Sequence, residues 1–153
     1  MIVTFEGFTL SSGYLVKEMS VCLGDGEIQN FHFKTPLNFQ PTQMELRTIR
    51  FAKKRLNQLS LHDGNILPYH TIDNILQNIA SNTLYVAGNA AYNFVTSKLP
   101  TTLVLDICRI YDFKYPSELS NTNCVKRHRA RYCSYAKCLY IKEYLDVYFH
   151  NKK

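Results

Sequence analysis

The sequence predicts an α/β sandwich, a mixed β-sheet flanked by helices. Strand-type runs open the chain as a three-stranded meander over residues 1–35, and shorter strand-type runs then alternate with segments of helical period. The closing segment, from about residue 130 to 148, holds no Gly or Pro and reads as one long terminal helix.

Residues 2–8 are the first strand and residues 14–23 the second, the latter carrying Val16, Met19, Val21 and Leu23. Gly24-Asp25-Gly26 supplies a turn, residues 28–33 return as the third strand, and Thr35-Pro36 ends it. A loop lies between Pro36 and Pro41. Residues 42–59 then carry Met44, Leu46, Ile49, Phe51 and Leu56 and read as a helix. Thr42 with Glu45 three positions on matches a capping box. A second loop holds His62-Asp63-Gly64 and Pro68, and residues 71–79 have Ile72, Ile75, Leu76 and Ile79 at helical spacing. A short strand over 83–87, a helix over 90–98 opened by Gly88-Asn89, and a strand over 102–106 complete the pattern before the terminal helix. Spacing alone does not order the strands.

A length of 153 residues fits one domain spanning 1–153. A domain of this size buries about 70% of its unfolded surface. No apolar run approaches the roughly 20 residues of a membrane span. The first six residues lack the basic start and apolar stretch of a signal peptide. The chain is therefore expected inside the cell, in cytoplasm or nucleus. Its five cysteines, Cys22, Cys108, Cys124, Cys133 and Cys138, are odd in number, which argues against a disulfide framework. Cys22 and Cys108 read as core residues. Cys138 falls on another helix face from Cys133 and is a poor partner for a shared ligand.

The net charge is +6 and is unevenly placed. Residues 1–75 hold seven basic and seven acidic side chains, whereas residues 76–153 hold eleven and five. Five of those eleven are Lys126, Arg127, Arg129, Arg131 and Lys137. Such a cluster suits a phosphate backbone; a solvated helix face is the plainer alternative. Tyr132, Tyr135, Tyr140, Tyr144 and Tyr148 recur on the terminal helix, where packing is a commoner role than base stacking.

Three short motifs carry a resemblance. Residues 4–8 read Thr4-Phe5-Glu6-Gly7-Phe8, residues 88–93 read Gly88-Asn89-Ala90-Ala91-Tyr92-Asn93, and residues 128–133 read His128-Arg129-Ala130-Arg131-Tyr132-Cys133. In order and context they resemble the three active-site motifs of the ribonuclease H-like exonucleases of the DEDDh class, a resemblance covering nearly the whole chain. It implies a ribonuclease H-like mixed sheet, with Leu103-Val104-Leu105-Asp106 as a further family-like strand. The departures bear on activity. Two-metal phosphodiester cleavage needs several carboxylates around two cations. Thr4, Asn93 and Cys133 stand at three of the four carboxylate positions, and only Glu6 remains, with His128 at the place of the general base. Each also has an ordinary reading: Thr4 as a β-former, Glu6 as a strand-edge carboxylate, Asn93 as a local hydrogen-bonding residue.

Cys124, His128 and Cys133 are spaced Cys-x3-His-x4-Cys, and thiolate and imidazole are the usual ligands of structural zinc. Unrelated thiols and an exposed histidine are the competing reading. Glu18 lies in an otherwise apolar strand, where a carboxylate is costly unless paired or metal-bound. This set on a degenerate exonuclease-like chain resembles the Maelstrom domain family. The resemblance implies zinc at Glu18, Cys124, His128 and Cys133, and binding of single-stranded RNA; the family includes members that cut RNA without the usual metals. The expected function is thus a catalytically degenerate exonuclease-fold domain with a structural zinc ion that binds single-stranded RNA or other nucleic acid. Two further readings stand beside it: an altered nuclease holding one metal through Glu6, Asp106 and His128, and a protein-interaction scaffold.

Overall fold

A computed structural model describes residues 1–56, 59, 61, 67–116 and 133–153. The first two strands, β1 (Ile2–Leu10) and β2 (Gly13–Cys22), form an antiparallel hairpin, and β3 (Ile28–His32) returns along β2. Helix α1 (Gln43–Arg55) and helix α2 (Thr71–Ile79) follow, then β4 (Leu84–Val86), α3 (Asn89–Lys98), β5 (Val104–Asp106) and the short α4 (Ile107–Ile110). Helix α5 (Ser134–His150) closes the chain. The sheet order is β3-β2-β1-β4-β5, with β4 parallel to both β1 and β5. No helix among the described residues is long and apolar enough to cross a membrane.

Alternation along the strands sets the two faces. Val3, Phe5, Met19 and Val21 point to one side, where Ile72, Leu76 and Ile79 of α2, Val95 of α3 and Leu99 just after it cover them. Each such fully buried side chain contributes roughly 1.5–3 kcal/mol. The other side packs beneath α5: Ile2 and Cys22 of the sheet meet Cys138, Ile141 and Leu145 of the helix. Helix α1 packs Ile49 and Ala52 against Phe8, Leu10 and Leu15 at the far end of the hairpin.

The capping box forms as the sequence predicts. Glu45 N donates to Thr42 Oγ1 and Thr42 N to Glu45 Oε1, each at 3.1 Å. Ser12 Oγ also donates to Glu45 Oε2 at 2.5 Å, tying the hairpin turn to α1. These bonds, Ser12's first, hold the Glu45 carboxyl below its ordinary range.

Two helix boundaries differ from the sequence expectation. Helix α1 stops at Arg55, short of residue 59. Residues 130–132 lie outside the described residues, and Cys133 is not helical: its extended backbone (φ −109°, ψ 124°) makes it the N-cap of α5. Cys108 is half-buried, less enclosed than a core residue.

Candidate functional site

The strand register sorts the α5 side of the meander into rows of rising polarity. Ile2, Cys22 and Ile28 stand in line, then Thr4, Ser20 and Asn30, then Glu6, Glu18 and His32. The apolar row takes the middle of α5. The polar rows take its first turn, and every member of them but Asn30 is buried.

Ser134, the first residue of α5, serves both polar rows. Its carbonyl accepts from Thr4 Oγ1 at 2.6 Å, and its hydroxyl lies 2.8 Å from Ser20 Oγ. Its backbone N–H and its hydroxyl donate to Glu18 Oε1 at 2.7 and 2.5 Å, and Cys133 Sγ reaches the same oxygen at 3.7 Å. A helix N-terminus aimed at a carboxylate stabilises the charge through its unmatched N–H groups and its dipole. Glu18 is thus held without leaving the apolar strand.

His32 joins the network from β3. Asn30 Nδ2 donates to Ser20 Oγ at 2.7 Å and to Ser134 Oγ at 3.2 Å, which turns its carbonyl oxygen toward His32 Nε2 at 2.7 Å. Nε2 is then the donor, and Nδ1 faces Glu18 Oε2 at 3.8 Å. Sequence reasoning misses Asn30 and His32. Their signal is the period-two polarity Asn30, His32 in a strand whose partner repeats it as Glu18, Ser20.

Glu6 is met by Lys137, one turn along α5 from Ser134, in an ion pair with the lysine side chain 20% and the glutamate 8% exposed. Lys137 Nζ also sits 5.5 Å from the Tyr115 ring centroid. Lys137, expected from sequence to touch nucleic acid, is therefore turned inward onto a carboxylate.

A cavity of about 330 Å³ opens beside this pair at the carboxyl-terminal end of β1. Glu6, Phe8, Tyr14, Phe51, Tyr115 and Lys137 are among the side chains that line it, with Ala90 and Ala91 of α3. Ligands in open α/β sheets bind in such crevices, beyond the carboxyl ends of strands where connections diverge. Burial drives the phenols of Tyr14 and Tyr115 well above their ordinary value, so both hydroxyls stay protonated.

Thr4, Glu6 and Cys133 meet around the first turn of α5. Asn93 does not join them: it is exposed on α3, outside the cavity wall. Asp106 caps α4, accepting from Cys108 N at 3.1 Å and from Gly88 N at 2.9 Å, and Arg109 approaches its second oxygen at 3.5 Å. Gly88 has φ +97°, which a glycine adopts without strain while it delivers that N–H. Of the expected zinc ligands, Glu18 and Cys133 come together, while Cys124 and His128 lie outside the described residues, as do Lys126, Arg127, Arg129 and Arg131. Among the described residues no group of three metal-ligating side chains is poised for an ion. Phe113 packs against Tyr140 and Tyr144, and Tyr111 against Tyr148, so these tyrosines of α5 are packing residues. No family model, curated protein or solved structure matches the chain.

Proposed function

We propose that this chain is a ribonuclease H-like domain that has exchanged two-metal catalysis for binding, and that it holds single-stranded RNA without cutting it. The observation carrying the reading is the Glu6–Lys137 pair. Two-metal cleavage requires carboxylates whose negative charge is open to divalent cations. Here the one carboxylate that matches the exonuclease pattern is offset by an ammonium from the chain itself, and its nearest motif neighbour is a threonine bonded to backbone. The element order supports the scaffold: a three-stranded meander, parallel strands added on the β1 side, and a long last helix across the meander.

The residues at α5 are compatible with a structural zinc ion. Zinc–sulfur and zinc–oxygen bonds in a tetrahedron place their two donors roughly 3.5 Å apart. Glu18 Oε1 and Cys133 Sγ are 3.7 Å apart. Glu18 and Cys133 would hold the ion with Cys124 and His128, and it would pin the chain entering α5. Metal analysis of purified protein then gives about one zinc per chain, lost in Cys133→Ser.

A labelled single-stranded RNA tests the function. The expected result is salt-sensitive binding with the RNA intact in Mg²⁺. Mg²⁺-dependent cleavage abolished by Glu6→Ala would establish the altered nuclease instead, and no binding to any nucleic acid would leave the protein-interaction scaffold.

A further inference from the structure

Helix α1 carries Arg47, Arg50, Lys53, Lys54 and Arg55 within nine residues, all exposed. Its one acid, Glu45, is buried in the capping box. No acidic side chain among the described residues pairs with Arg47, Arg50 or Lys54. Packing on the hairpin through Ile49 and Ala52 turns the cationic face outward. Arg47, Phe51 and Lys54 fall at i, i+4 and i+7, with Arg50 beside them, a run of about 10 Å along the helix.

Phe51 lies in the middle of this stripe. Its ring is 59% exposed and yet forms part of the cavity wall. The rail of charge and the cavity therefore share one rim. Tyr115 and the Glu6–Lys137 pair line the same cavity.

We propose that α1 is the phosphate-tracking rail of a single-stranded nucleic acid, and that one unstacked base leaves the strand over Phe51 and enters this cavity. The inference rests on the RNA-binding reading and assigns it a surface. Cations spaced along a helix match a polyanion, and an aromatic rim offers the base a stacking partner. The cavity lining selects among polyanions. A base edge carries donors and acceptors that a carboxylate and an ammonium can meet. A lipid acyl chain would have to desolvate that pair with nothing in return. A duplex keeps its bases stacked and cannot fill the cavity without extruding one.

The test measures binding of a fluorescent single-stranded RNA oligonucleotide to the full chain across a salt series. Arg47→Ala/Arg50→Ala/Lys54→Ala should weaken binding and flatten the log–log salt slope by about 2, at roughly 0.7 for each phosphate that loses its cation. Phe51→Ala should weaken binding roughly tenfold with the slope unchanged. These side chains are exposed, and unaltered thermal melting confirms folding. Wild-type binding that both variants leave intact would overturn the rail while leaving the RNA-binding reading standing. No binding by the wild type sinks that reading itself. Competition by polyglutamate as strong as by the oligonucleotide, or binding to phosphatidylserine vesicles in place of RNA, would overturn the base-insertion step.

Discussion

Glu6 and Glu18 stand directly opposite each other across the β1–β2 ladder, two buried carboxylates in one cross-strand pair. Like charges so placed destabilise a sheet. The first turn of α5 offsets both: Ser134 donates twice to Glu18, and Lys137 pairs with Glu6. The spacing of Ser134 and Lys137 puts one over each carboxylate, because residues three apart share a helix face. The carboxylate pair thereby fixes where α5 lands on the sheet.

Removing Lys137 should therefore cost more than a surface charge does. Lys137→Met takes the Lys137 ammonium away from Glu6, which stays buried opposite Glu18, and a drop of roughly 2–3 kcal/mol is expected. Adding Glu6→Gln should recover most of it, since the repulsion goes with the charge. Urea denaturation of the two single variants and the double variant measures the coupling. Independent, additive effects would show that the two side chains are not a functional pair.

Glu18→Ala strands the backbone N–H of Ser134 beneath the helix, while its hydroxyl keeps Ser20 Oγ at 2.8 Å. Buried donors left without an acceptor cost about 1–3 kcal/mol. Under the zinc reading a chelator should destabilise the wild type and leave Glu18→Ala unmoved, because the variant has already lost the ion. Equal chelator sensitivity in both proteins would place any zinc elsewhere.

The rows explain what the sequence can and cannot show. Strand identities and α2 are legible because Val, Ile and Phe alternate in the meander and Ile72, Leu76 and Ile79 repeat at helical period. Glu18 stands out as a charge in an apolar run, but its answer, Ser134, lies 116 residues away and no local pattern links them. Lys137 groups with its basic neighbours in sequence, whereas α5 turns it inward. The α1 rail is hidden by averaging: residues 1–75 balance seven charges against seven, yet five of those seven cations crowd into residues 47–55. Net charge per half of the chain smooths away a stripe that only a helix displays.

Gly7 marks the register shift in the β1–β2 ladder, where Glu6 pairs with Glu18 but Gly7 with Val16, leaving Lys17 as the extra residue. A Cβ on Gly7 would lie 1.9 Å from the Leu15 carbonyl oxygen, a backbone atom with no rotamer to give. Gly7→Ala should cost about 3 kcal/mol or more, the upper range for overpacking. Because the shift sets which residues of β1 reach the cavity, the RNA-binding reading predicts that RNA affinity falls in the fraction that stays folded. Native-like stability in this variant would mean that the strands separate easily at the bulge.

Cys22 and Cys138 pack together where β2 meets α5. The neighbouring Cys138 thiol lowers the Cys22 thiol from an ordinary 9.0 to about 7, against the effect of burial and with help from Lys142 and the N-terminal amine. Cys138 moves well upward, chiefly through its neighbour Cys22 and then because it is buried. The pair thus gives up its first proton near neutrality and keeps its second. A folded-state value below the unfolded one means that ionisation of Cys22 favours folding. This contribution is complete above the unfolded value of 9.0 and is lost as pH falls through about 7. An ultraviolet thiolate titration of the wild type, with Cys22→Ser as the blank, should show a single midpoint near neutral pH. Cys138→Ala should move that midpoint up to the ordinary range or beyond, because burial then acts on Cys22 without the opposing influence of the Cys138 thiol. A midpoint that stays put in Cys138→Ala would assign the shift to Lys142 and the amine instead.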